Sequence, residues 1–111
     1  MRLQDVVAAL INVLGRHNVA AIVGVNKTSA LSSWMSAQQP TCDLELEARL
    51  RLALRLVRII EARFSKETAS AWMQGANPSL DDETPIALVA CGALSEVQKP
   101  LLLAAWAFVE F

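Results

Sequence analysis

The sequence predicts an all-α protein of six or seven helices: an N-terminal helix-turn-helix-like bundle, a long connecting helix, and a small helical C-terminal unit. Three observations carry this. Apolar residues recur at three- and four-residue spacing along most of the chain. Glycines, prolines and capping residues fall where those periodic runs begin and end. One run, beginning after Gln38-Gln39-Pro40-Thr41 and reaching Phe64, carries two apolar stripes, as a helix packed on both sides does. These divisions give residues 1–40, 41–64 and 65–111 as the three units.

Leu3, Val6, Val7, Leu10, Ile11 and Leu14 make the face of the first helix, which Gly15 closes. Arg16-His17-Asn18 reads as a turn, with Asn18 capping a short helix from Val19 to Val23 that ends at Gly24. After Asn26-Lys27-Thr28, the residues Ala30, Leu31, Trp34 and Met35 form the buried side of a third helix. Short helix, glycine-containing turn and Trp-anchored helix is the layout of a helix-turn-helix. Lys27, Thr28, Ser29, Ser32 and Ser33 are then the candidate DNA-contacting residues, small or basic at the exposed start of the second of these helices. A helix-turn-helix that packs without binding DNA is the competing reading, because Lys27 is the only cation within it.

Thr41 or Asp43 starts the long helix. Leu46, Leu50, Leu54, Val57, Ile60 and Phe64 form one stripe, and Leu52, Leu56 and Ile59 the other. Arg51, Arg55 and Arg58 share the polar face, either as a phosphate- or acid-binding patch or as a solvated face with pairs such as Glu47–Arg51. Ser65 caps a helix from Lys66 to Met73 that delivers Trp72, and Gly75 ends it in the positive-φ conformation that glycine favours. Asn77-Pro78 cannot continue a helix. The acids Asp81, Asp82 and Glu83 lead into Thr84-Pro85, an N-cap with proline at the first helical position, and the helix so opened stops at Gly92. Leu94, Val97, Leu101, Ala104, Ala105 and Phe108 continue helically, with Pro100 either kinking the helix or marking its first turn. The last residues, AAWAFVEF, are apolar for a free end: either Trp106 and Phe108 fold onto the core or the segment inserts into a partner.

Composition supports a partner. Apolar residues are 54% of 111, more than a small helical core needs, which hints at a covered apolar surface. No apolar run is long enough to span a membrane and no signal-peptide layout is present, so a cytoplasmic protein is expected. Residues 1–64 hold eight Lys/Arg against five Asp/Glu and residues 65–111 two against six; the balances +3 and −4 sum to the net −1. Cys42 and Cys91 are isolated and read as buried or semi-buried thiols, neither a disulfide framework nor a metal site. His17 has no assignable nucleophile, there is no phosphate-cradling glycine loop, and residues 81–83 lack the alternating ligands of a calcium loop. An enzyme is not expected, and neither is a cofactor.

One stretch is more distinctive. Trp72, Met73, Asn77, Pro78, Leu80, Thr84, Pro85, Leu88 and Gly92 together resemble the toxin-binding domain of the Xre/MbcA/ParS antitoxin family. Residues 16–37 are similar to the helix-turn-helix of that family, with a slightly longer connection and Ala37 where relatives often carry glycine. Residues 81–83 replace a small, glycine-rich loop. The resemblance implies an antitoxin that blocks a cognate RES-domain, NAD-degrading toxin through its C-terminal domain, whether that toxin hydrolyses or phosphorolyses NAD. It further implies operator DNA binding by the N-terminal domain, and a homodimer or larger hetero-oligomer with the toxin. Trp72, Asn77, Pro78, Leu80, Pro85, Trp106, Phe108 and Phe111 are the expected toxin contacts. A stand-alone transcriptional regulator dimerised by its C-terminal half, or a helical adaptor that binds only protein, are the alternatives.

Overall fold

The computed structural model describes residues 2–24 and 44–110. Among them are six α-helices: α1 (Leu3–Leu14), α2 (Arg16–Val23), α3 (Leu44–Arg63), α4 (Lys66–Gln74), α5 (Pro85–Cys91) and α6 (Leu94–Glu110). A 3₁₀ turn, Pro78–Leu80, lies between α4 and α5. The all-α expectation holds over these residues.

Helix α3 is the axis of the fold, packing against α1, α2, α4, α5 and α6. Both of its stripes are used. Leu50, Val57 and Ile60 are fully buried from one, and Leu52, Leu56 and Ile59 are buried from the other, with Leu46 and Leu54 packed at the margins. Full burial of each such side chain contributes about 1.5–3 kcal/mol, so this helix supplies much of the core. Its outward face is the solvated one: Arg51 pairs with Glu47 at 3.4 Å and Arg58 with Glu61 at 3.5 Å. Exposed pairs of this kind contribute a few tenths of a kcal/mol.

The N-terminal helices do not form a core of their own within the described residues. Val6, Val7, Leu10 and Leu14 of α1, and Val19, Ala20 and Ile22 of α2, belong to the same buried cluster as Met73, Val89 and Leu101. Helix α1 lies on α3 and α4, while α2 lies on α1, α3 and α5.

The α1–α2 junction differs from the sequence reading. Residues 16–18 are the first turn of α2, not a separate turn, and Asn18 is not the cap. The reason is Gly15, whose φ of 84° and ψ of 161° fall in a region essentially reserved for glycine. One residue therefore both ends α1 and begins α2. Its N–H donates to the Ile11 carbonyl at 2.9 Å and its own carbonyl accepts from Val19 at 3.3 Å. The Asn18 amide reaches back instead, Nδ2 donating to the Leu14 carbonyl at 2.8 Å and satisfying an otherwise free acceptor at the end of α1. Gly24, at φ 89°, caps the far end of α2. The expected third helix, with Trp34, and the 40/41 boundary lie outside the described residues.

Helix α6 runs through Pro100 as a single element, and Pro100 sits on its exposed side. Cys91 is exposed, correcting the expectation of a buried or semi-buried thiol: it is the last residue of α5, turned away from the face that buries Val89. Among the described residues no helix is long and apolar enough to cross a membrane.

Candidate functional site: a braced loop between α4 and α5

The segment from Trp72 to Gly92 folds as two short helices joined by a closed loop. Ser65 opens α4, its Oγ accepting from the Thr68 N–H at 3.2 Å. Trp72 and Met73 are buried at the other end. Gly75 then leaves the helix in extended geometry, φ −90° and ψ 147°, and not with the positive φ expected of a glycine cap. The left-handed residues come later, at Asp81 (φ 57°) and Asp82 (φ 63°). Aspartate is among the few residues that accept this conformation at modest cost. So only Glu83 leads directly into the Thr84 cap, and the other two acids form the tip of the turn.

Asn77 organises the loop. Its Oδ1 accepts from the Ser79 N–H at 2.9 Å. Its carbonyl accepts from Leu80 and Asp82, both at 2.9 Å, and its own N–H donates to the Glu83 carbonyl at 3.1 Å. Glu83 in turn donates to Leu80 at 3.1 Å, and Asn77 and Glu83 pair as an isolated antiparallel bridge. Five hydrogen bonds over seven residues leave little backbone freedom. Leu80 points down into the core and is buried. Thr84 then caps α5, Oγ1 accepting from Ala87 at 3.2 Å, with Pro85 buried at the first helical position.

The far end of α5 is held by a residue the sequence reading did not single out. Arg49, from α3, donates from one terminal nitrogen to the Val89 carbonyl at 2.8 Å and the Gly92 carbonyl at 2.7 Å. Its other nitrogen donates to Glu45 at 2.8 Å. The side chain is only 13% exposed. A cation at a helix C-terminus both fills free carbonyls and opposes the helix dipole. Gly92 is required here for space: a Cβ would lie 2.7 Å from the Leu88 carbonyl oxygen and 2.7 Å from a Val97 methyl. Gly92→Ala is therefore expected to destabilise the protein by about 1–3 kcal/mol. Thermal denaturation checks this, and a loss below about 0.5 kcal/mol would mean that Val97 yields freely.

The candidate contact residues separate into groups. Trp72, Leu80 and Pro85 are buried supports, Asn77 is the half-buried hub, and Pro78 is exposed at the loop surface beside Ser79 and residues 81–83. Phe108 belongs with them. Its ring lies 5.4 Å from that of Phe64 and 6.3 Å from that of Trp72, both tilted, the geometry aromatic pairs favour. The Arg63 guanidinium stands 5.1 Å over the Phe64 ring. Thr68, Trp72, Gly75, Asn77 and Phe108 line a shallow hollow of about 290 Å³ beside the loop. Trp106 does not join this group. Two residues earlier on α6, it points about 200° away and is 49% exposed. The two aromatic residues thus lie on opposite sides of α6, and Phe108, although packed on other rings, is itself 38% exposed. Phe111 and the DNA-binding candidates Lys27, Thr28, Ser29, Ser32 and Ser33 lie outside the described residues.

No family model, curated protein or solved structure matches the chain.

Proposed function

We propose that the chain is an antitoxin that binds and neutralises a RES-type, NAD-degrading toxin by blocking its active site, and that it regulates its own operon by binding operator DNA. The observation that carries this reading is the braced loop, on which the residues of the antitoxin-like pattern converge. Trp72, Leu80 and Pro85 support it from beneath and Asn77 closes it. An inhibitor needs a protrusion that does not lose much entropy on binding, and a loop already fixed by its own hydrogen bonds meets that need. Its exposed tip is acidic, with Asp81, Asp82 and Glu83 all at the surface. An enzyme that binds an anionic dinucleotide presents positive charge at its pocket, so an acidic tip suits the pocket mouth. On this reading Pro78, Ser79 and residues 81–83 make the contact, together with the Trp72–Phe108 hollow.

Co-expression with a RES-domain toxin from a neighbouring reading frame tests the reading. Restored cellular NAD and a stable co-purified complex are expected; undiminished NAD loss with no complex rules it out. Within that system Lys27→Glu combined with Ser29→Glu is expected to abolish promoter binding while leaving neutralisation intact, because added negative charge there opposes DNA phosphate. Unchanged gel-shift affinity would remove DNA binding from residues 27–33.

A further inference from the structure

The face of α6 directly opposite its buried side carries Lys99, Leu103, Trp106 and Glu110. These positions are spaced by four, three and four residues and so fall within about 60° of one another around the helix. All four are exposed, Leu103 at 59% and Trp106 at 49%. Two large apolar side chains at the centre of a solvent face, bracketed by a cation at one end and an anion at the other, form a self-complementary pattern. Turning the helix end for end places Lys99 against Glu110 and Leu103 against Trp106, since each pair of numbers has the same sum. Shallow hollows flank the ridge on both sides, one between Gln98, Leu102 and Trp106 and the other between Ser79, Pro100 and Ala107, which gives a second ridge places to settle.

We propose that this face of α6 is a homodimer seam, on which a second copy of the chain packs its own α6 antiparallel about a two-fold axis passing between Leu103 and Trp106. A two-fold interface is isologous, so the axis generates two Lys99–Glu110 pairs and two Leu103–Trp106 contacts at once. Charge order fixes the direction: a parallel arrangement in register sets Lys99 against Lys99 and Glu110 against Glu110. A 17-residue helix is about 25 Å long, and one face about 10 Å wide covers a few hundred Å² per copy. That is below the roughly 800 Å² per partner of a standard stable interface, so a weak, concentration-dependent dimer is expected. The seam lies on the opposite side of α6 from Phe108, and it does not depend on the antitoxin reading.

Sedimentation equilibrium of the full chain at about 5–200 µM tests it. The wild-type protein is expected to show a reversible monomer–dimer equilibrium, and Leu103→Glu to be monomeric throughout with unchanged helicity. Lys99→Glu alone and Glu110→Lys alone should each weaken the dimer about tenfold, two symmetry-related pairs becoming repulsive together. Combining both in one chain should restore it. Mixing the two single variants should also restore it, as a heterodimer with both pairs re-formed. A wild-type chain that stays monomeric at 200 µM overturns the proposal, as it would if the ridge served only another protein. A dimer indifferent to Leu103→Glu, or one that the combined charge exchange fails to rescue, overturns the seam and its antiparallel register.

Discussion

Replacing Arg49 with methionine is expected to lower the stability of the protein by about 2–4 kcal/mol, read as a shift of the urea midpoint at constant slope. Methionine keeps most of the volume and loses every donor. The carbonyls of Val89 and Gly92, each bonded to the guanidinium at under 3 Å, then lose a charged partner at a site that water reaches poorly. Hydrogen bonds to charged groups contribute more than neutral ones, and an acceptor stranded by removal of its donor costs about 1–3 kcal/mol. Arg49→Lys should recover less than half of the loss, because an ammonium is a point donor without the planar fork that spans two carbonyls and a carboxylate. Glu45→Ala should cost less than 1 kcal/mol, since Glu45 is 63% exposed and the arginine keeps its two carbonyls. If Arg49→Met and Glu45→Ala cost the same, the carbonyl clamp does not hold α5 in place.

That arginine marks where the sequence stops being legible. Helix boundaries set by neighbouring residues were readable: Ser65 caps α4, Thr84-Pro85 opens α5, and α3 ends within a residue of Phe64. Both stripes of α3 pack into the core, because a 3.6-residue period states which faces are apolar, except that Phe64, one residue beyond the helix, is 42% exposed. Arg49 acts across 40 and 43 residues of sequence, and no local pattern records such a reach. A signal was present all the same. Arg49 stands on the opposite side of the helix from Arg51, Arg55 and Arg58, on the apolar side between the two stripes. A cation on an apolar side needs a partner inside the fold.

The braced loop was partly legible for a similar reason. Asn77-Pro78 and Thr84-Pro85 announced that two helices were broken and restarted. The conformation between them depends on Asn77 serving as acceptor and donor to four residues, Ser79, Leu80, Asp82 and Glu83. It depends also on two aspartates taking positive φ where glycine was expected to do so at position 75. The division of Phe108 from Trp106 follows from helical geometry, but it requires knowing that α6 continues unbroken to Glu110. Once that is known, two residues apart means opposite faces, and the aromatic end cannot act as a single plug. Removing residues 106–111 therefore takes away a ring packed on Phe64 and Trp72 as well as an exposed indole.

Leu10→Ala in α1 and Leu101→Ala in α6 are expected to lower one and the same unfolding transition, each by about 2–5 kcal/mol. Both leucines are fully buried, and both belong to the cluster in which α3 brings the two ends of the sequence together. Loss of three heavy atoms from such a site removes their transfer free energy and leaves a cavity that close-packed neighbours fill only in part. The whole stability of a domain this size is about 5–15 kcal/mol, so either change puts the fold close to its limit. For about 100 residues each kcal/mol corresponds to roughly 4–8 °C in Tm, which predicts shifts of at least 8 °C. Helices that shared only a linker would respond differently: a substitution in α1 would lower an early transition and leave a later one untouched. Calorimetry of both variants distinguishes these outcomes. A single transition lowered by either substitution, with calorimetric and van't Hoff enthalpies in agreement, is the result that one core shared by α1, α3 and α6 requires; two transitions that respond separately would show that α1 unfolds independently of α6.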